Sequence, residues 1–507
     1  MSTVHELLQT GENSSIAISG IARPDLRYGE LRELVERTKD SLNELGIGRN
    51  DRIAIVLPNG PEMGTSFICI AACATTAPLN PSYTEDEYDF YLSDLNARAL
   101  VVAKGSDTPA IQAAKNHGIQ ILELETHVDR PAGEFTLNET GSTEGPRNQM
   151  VGYAEANDVA LVLHTSGTTS RPKIVPLTHT NICRSAANIQ NTLCLESTDV
   201  CLNIMPLFHI HGLMAAILAT LGKGASVCCS PGFDALKFYS WLQQSSPTWY
   251  TAVPTMHQAI IARAKRNDDA VKNARLRFVR SSSSSLPPQV LHELENTFGV
   301  PVVEAYAMTE AAHQMTCNQL PPGIRKPGTV GCAAGPEVAI MDESTATLLS
   351  QGKTGEIVIR GENVTPGYEN NSAANAENFV AGWFRTGDQG VLDEDGFLTI
   401  TGRLKEIINR GGEKISPREV DEVLLDHAAV QQVVTFAIPH KSLGEEVAAA
   451  VVLKEGEAGD EAAIRSFAAE QLAAFKVPRK IFILDEIPKG PTGKLQRIGL
   501  AEKLGLV

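Results

Sequence analysis

Short β-branched runs alternate with amphipathic stretches along this chain, and that alternation restricts it to α/β architectures, in which helices cover a sheet. Arg52 to Leu57, Ala99 to Ala103 and Val159 to His164 read as strands. Tyr28 to Leu45 sets Leu31, Leu34, Val35, Leu42 and Leu45 near helical spacing, with Glu33, Glu36 and Lys39 between them, as a surface helix requires. From Gly355 to Thr401 the texture changes. Strand-like Glu356 to Arg360 and Phe397 to Ile400 lie among Gly, Asn and Asp turn signals, so a small β subdomain is expected there. After Gly402 come a helix over Pro417 to Leu425, a strand over Val430 to Ile438, then a further helix and strand. With 507 residues the chain exceeds what one core usually supports. The expected division is a large α/β domain of several subdomains over 1–402 and a small α+β domain over 403–507.

Charge narrows the function classes. A formal net charge of -16 opposes adhesion to nucleic acid or anionic lipid, which needs clustered Lys and Arg. Nine Cys occur without a C-x-x-C pair, which reads as reduced thiols. Gly64 to Ala77 and Gly212 to Cys229 are the longest apolar stretches, and one is too short and the other too interrupted for a membrane span. Met1 to Glu12 has no secretory pattern, and Gly505-Leu506-Val507 is not the S-K-L peroxisomal address, so a cytoplasmic location is expected.

The strongest local signal is His164-Thr165-Ser166-Gly167-Thr168-Thr169-Ser170-Arg171-Pro172-Lys173, on the loop leaving the strand that ends near His164. Small residues let backbone N–H groups approach a polyphosphate, hydroxyls add donors and Lys173 adds charge. Composition alone leaves a solvated Ser/Thr turn open. No G-x-x-x-x-G-K-[ST] occurs, which disfavours P-loop chemistry.

This decapeptide resembles the signature loop of the adenylate-forming enzymes, the family of acyl-CoA ligases, firefly luciferase and peptide-synthetase adenylation domains. Ser170 and Ile174 stand where that family often has Gly. The likeness recurs in order along nearly the whole chain. Pro206 to Gly212 resembles the segment whose first histidine, here His209, caps the adenylate site. Tyr306-Ala307-Met308-Thr309-Glu310 is similar to the block whose Tyr stacks on adenine, whose Thr contacts phosphate and whose Glu holds magnesium. Gly382 to Asp388 ends in the Asp that grips the ribose, and Gly402 to Glu406 supplies Arg403 as a second ribose ligand and Lys405 as the hinge of a mobile C-terminal domain. Pro488 to Lys494 ends in the lysine that serves adenylation. Singly, Glu310 could be a helix-start carboxylate, Asp388 a turn residue and Lys494 an exposed lysine; together they would need coincidence at several spacings.

The resemblance implies ATP and CoA as co-substrates, Mg2+ on Glu310, and a rotation at Lys405 that presents Gly411-Gly412 to the CoA channel, although without it those glycines read as an exposed turn. By motif alignment His211, Ser282, Ser284 and His313 face the acyl group. Such a polar pocket implies a short, anionic acid, the alternative being histidines hydrogen-bonded within the core. The whole chain most resembles the plant and fungal oxalate-CoA ligases, including Ala305 to Ala311 and Trp249 to Thr255. A ligase for another short, medium or aryl acid, or a nucleotide-binding sensor without turnover, stays open.

Overall fold

The computed structural model describes residues 1–140, 148–165, 172–457, 459–489 and 494–506. Among these, the strands form four sheets, of nine, seven, five and five strands. The nine-stranded sheet is parallel across Trp249–Ala252, Phe278–Ser282 and Val302–Met308, then turns antiparallel at His313–Cys317. The seven-stranded sheet is parallel through Arg52–Val56, Thr75–Pro78, Ala99–Ala103 and Val159–His164, and ends in the antiparallel pair with Ile174–Thr178.

The two long apolar stretches are explained by this layering. Pro61–Ala71 is a helix buried at every position except Glu62, because it packs against strands of both large sheets. Gly212–Leu218 is a wholly buried π-helix, continued as an α-helix to Leu221. No helix of the described residues is long and apolar enough to cross a membrane. Apolar residues from both sheets and these central helices form one shared core. Separate cores cover the outer sheet faces, one with Phe238–Ser245, Pro254–Ala264 and Pro288–Phe298, the other with Glu85–Asp94 and Ala110–Asn116. Helices therefore lie between and outside the two sheets, with Tyr28–Glu44 forming one amphipathic helix as its spacing predicts.

The β subdomain begins earlier than its turn signals suggest, at Glu337–Met341, which pairs with Gly355–Arg360. Trp383–Leu392 and Leu398–Arg403 complete its main face. The fourth sheet starts at Ile408–Arg410 and contains a strand that the sequence pattern did not reveal, Gly444–Leu453, paired along its length with Val430–His440. Its Val447-Ala448-Ala449-Ala450-Val451 centre is buried on both faces, so it carries no alternation.

Candidate active site

Strand pairing assembles the first cluster. Asp388 and Arg403 are direct partners across two antiparallel strands, and Arg403 Nε donates to Asp388 Oδ1 at 3.0 Å. The Tyr306 hydroxyl, at the end of a strand of another sheet, donates to Asp388 Oδ2. Burial pushes the Tyr306 phenol well up, so it stays a donor. The neighbouring Asp388 carboxylate raises the pKa of Arg403 and keeps it charged.

Lys494 of the fourth-sheet domain faces this cluster. Burial first, then the charge of Arg403, pushes its pKa down to about 8. Its charge is felt in turn at His209, His211 and His313. Arg497 fixes the segment by donating to Glu406 Oε2 at 2.7 Å and Thr435 O at 2.7 Å, and by pairing with Asp421. Ser416 and Arg418 bond the carbonyls of Thr401 and Ile400, so the same domain is tied back to the β subdomain. Lys405 is exposed in the short turn Leu404–Glu406. Gly411 and Gly412, with φ of +60° and +100°, form the exposed turn between Ile408–Arg410 and Glu413–Ile415, a geometry that favours glycine.

Glu310 sits in the turn Thr309–Ala311, buried, and accepts from the Tyr368 hydroxyl at 2.8 Å. Burial raises its carboxyl, against the lowering effect of Tyr368 and then of Lys173. Lys173 Nζ lies 4.4 Å from the Tyr368 ring centroid, so Tyr368 joins the end of the Ser/Thr loop to Glu310. Sequence reasoning missed Tyr368, which lies in no matched block. Thr165 and Lys173 close that loop, with Thr165 N–H on Lys173 O at 3.0 Å and Lys173 N–H on Thr165 Oγ1 at 3.2 Å. Ser166, Gly167, Thr168 and Thr169 lie outside the described residues. Among the described residues no group of His, Cys, Asp or Glu forms a multi-ligand metal cage. One buried carboxylate suits Mg2+, which takes most ligands from phosphate and water.

A second cluster, also within reach of the Lys494 charge, is built from histidines. Gly212 lets the chain turn tightly, since a Cβ there would lie 2.6 Å from Pro206 O. His209 accepts the His211 N–H at Nδ1, 3.2 Å away, so its neutral ring carries the proton on Nε2. Burial and the Lys494 charge hold His209 neutral, down to about 3. His211 is wholly buried and stacks on His313 with ring centroids 4.9 Å apart. Burial drives both pKa values well down, helped at His211 by His313 and at both by Arg280. His211 Nδ1 lies 3.0 Å from Ser283 Oγ, and its Nε2 lies 2.6 Å from Thr251 Oγ1. His313 has no partner on either ring nitrogen among the described residues.

The serines differ from expectation. Ser282 donates to Ala305 O at 2.9 Å within the sheet, and Ser284 is exposed. Ser283, at φ +72°, breaks the strand's two-residue alternation and turns its hydroxyl to His211 instead. Positive φ recurs at Ala312 (+46°) and His313 (+98°), so strained backbone flanks the histidine pair from two strands.

Comparison with known proteins agrees with this geometry. Residues 13–369 match the AMP-binding enzyme family and 419–494 its C-terminal domain. An oxalate–CoA ligase of Arabidopsis thaliana is 43% identical over 493 residues, covering 96% of this chain and 94% of the relative. An oxalate–CoA ligase of Saccharomyces cerevisiae is 44% identical, covering 90% of this chain and 87% of the relative. ATP-bound MatB from Rhodopseudomonas palustris superposes with a TM-score of 0.88 at 27% identity, covering 99% of this chain and 98% of that one. The ordered motifs, the four-sheet fold and these matches place the chain in the AMP-binding, adenylate-forming enzyme family.

Proposed function

We propose that the protein joins oxalate to coenzyme A at the expense of ATP, through an oxalyl-adenylate, releasing AMP and pyrophosphate. One observation carries the choice of acid: the stacked pair His211 and His313 is fully buried, and His313 has two ring nitrogens without partners among the described residues. A hydrocarbon or aryl acid would leave the N–H of the neutral His313 ring desolvated and unpaired, whereas a carboxylate accepts from it. The oxalate–CoA ligases among its relatives support the same reading.

In adenylation, one oxalate carboxylate attacks the α-phosphate of ATP. Two anions meet, so the residues must chiefly neutralise and position. Lys494 supplies the mobile cation, and His209 covers the adenylate with a neutral N–H donor. Asp388 and Arg403 hold the ribose, Tyr306 stacks on adenine and Thr309 contacts phosphate. The loop from Thr165 to Lys173 holds the departing pyrophosphate. Glu310, steadied by Tyr368, would hold Mg2+, which supplies charge neutralisation at the phosphates. Lys494 must then leave so that the CoA thiol can approach. The small domain, with its boundary at 402/403, turns at Lys405 and brings Gly411 and Gly412 to the pantetheine. Incubation with oxalate, ATP, Mg2+ and CoA, followed by AMP and thioester assay, tests the proposal. Stoichiometric AMP and oxalyl-CoA are expected; nucleotide binding without either product would make the protein a sensor.

A further inference from the structure

Arg280 lies in the middle of the nine-stranded sheet, on Phe278–Ser282 between Trp249–Ala252 and Val302–Met308. Its side chain is wholly buried. Buried charges are normally paired, yet among the described residues no carboxylate forms an ion pair with it and its Nε has no partner. Its remaining contacts are neutral. Nη2 donates to Gln314 Oε1 at 3.2 Å, and Nη1 lies 3.4 Å from both Thr251 Oγ1 and His211 Nε2.

These contacts fix a proton. A guanidinium has only donors, so the nitrogen it faces must accept. Nη1 donates to Thr251 Oγ1, the Thr251 hydroxyl donates to His211 Nε2 at 2.6 Å, and the proton of the neutral imidazole is left on Nδ1. Nδ1–H then points to Ser283 Oγ at 3.0 Å, which frees the Ser283 hydroxyl proton for donation. The contrast with Glu304, two strand positions from Tyr306 in the same sheet, is instructive. That acid is also buried with an unpartnered oxygen, but burial pushes it up to about 7, so it can discard its charge by taking a proton. An arginine cannot discard its charge in this way.

We propose that Arg280 is the positioning residue that makes the acid site demand a second negative charge: a buried guanidinium, paired with no carboxylate among the described residues, that holds His211 as its Nδ1–H donor and whose charge the distal carboxylate of the acid neutralises. The inference rests on the oxalate reading and deepens it. It assigns charge selectivity to a residue behind the histidines, and the direct hydrogen bond to the carboxylate to His313.

The test compares oxalate with oxamate, which replaces the distal carboxylate by an amide of similar size and carries one charge less. For the unmodified enzyme, kcat/KM should favour oxalate clearly. Arg280→Gln should cut the oxalate-to-oxamate ratio by at least about tenfold, mostly through oxalate KM, while Arg280→Lys restores most of it. Gln314→Glu leaves Arg280 in place but puts a carboxylate on Nη2, and it should collapse the ratio in the same direction. ATP binding and thermal unfolding are measured on every variant. A merely structural role predicts equal losses for both acids in Arg280→Gln and an unchanged ratio in Gln314→Glu, and that result would overturn the proposal. If Arg280→Gln does not fold, Gln314→Glu alone decides by the same ratio. If the unmodified enzyme already uses oxamate as well as oxalate, the distal-carboxylate reading itself fails.

Discussion

The Tyr306–Asp388–Arg403 cluster and the His211–His313–Arg280 cluster both feel the charge of Lys494 but follow opposite electrostatic rules. In the first, a carboxylate is met by a guanidinium and a phenol, and the half-exposed Arg403 reaches solvent, so its charges are balanced without a ligand. In the second, a wholly buried cation is met, among the described residues, by neutral donors and acceptors. A balanced cluster can hold a sugar by hydrogen bonds in either state. An unbalanced one is completed by an anion, which makes it a site of selection.

The largest expected effect separates the half-reactions. Lys494→Ala should slow formation of the acyl-adenylate by about a thousandfold, while CoA transfer from supplied acyl-adenylate stays within about threefold. Equal loss of both would show that Lys494 does not alternate with the thiol. The balance around Lys494 can be sharpened by pH. Its pKa lies near 8, below the ordinary lysine value, so it is charged below that pH and neutral above. kcat/KM should therefore fall on the alkaline side with a midpoint about there, and Lys494→Arg should move that limb upward.

At the unbalanced end, His313→Ala should lower kcat/KM for oxalate by about tenfold or more, since a hydrogen bond to a charged group contributes about 1.5–3 kcal/mol. ATP affinity, measured by titration, should hardly change. A loss in ATP binding of the same size would merge the two clusters into one structural unit. Lys405→Pro should restrict the turn Leu404–Glu406, slowing thioester formation several times more than adenylation. Wild-type rates for the overall ligation would remove Lys405 from the hinge.

The smallest effect concerns stability and uses Glu304 as a control. Its carboxyl is held up to about 7 in the folded protein, above the ordinary 4.5. Between those values the unfolded chain loses a proton that the folded one keeps, so stability falls as pH rises, and above about 7 the full cost is present. Glu304→Gln should thus stabilise the protein by about 3 kcal/mol at pH 8 and hardly at all near pH 4.5, in urea unfolding. Equal effects at both pH values would mean that packing, not charge, governs buried groups in this sheet.

The two clusters also differ in how legible they were. Tyr306, Thr309, Glu310, Asp388, Arg403 and Lys494 each sit in a short contiguous block, so motif order exposes them before any fold is known. The proposed acyl end is assembled across four strands and a π-helix start, and motif alignment marked its histidines together with Ser282 and Ser284. Arg280 belongs to no motif and was not singled out; the fold buries it wholly within the sheet. Ser283 was missed because motif alignment pointed to its neighbours, and a left-handed φ is not visible in five consecutive serines. Tyr368 needs the third sheet to bring it to Glu310. In the fold, Pro417–Leu425 and Val159–His164 were legible from pattern, whereas Gly444–Leu453 was hidden by an alanine-rich centre that suits a helix equally well.

The most direct test of the account is the ratio of kcat/KM values for CoA ligation with oxalate, hexanoate and cinnamate, assayed side by side with ATP and Mg2+. A site completed by a second carboxylate predicts that oxalate leads both by at least about a hundredfold. A lead for hexanoate or cinnamate would contradict it, leaving the family membership intact and the anionic acid wrong.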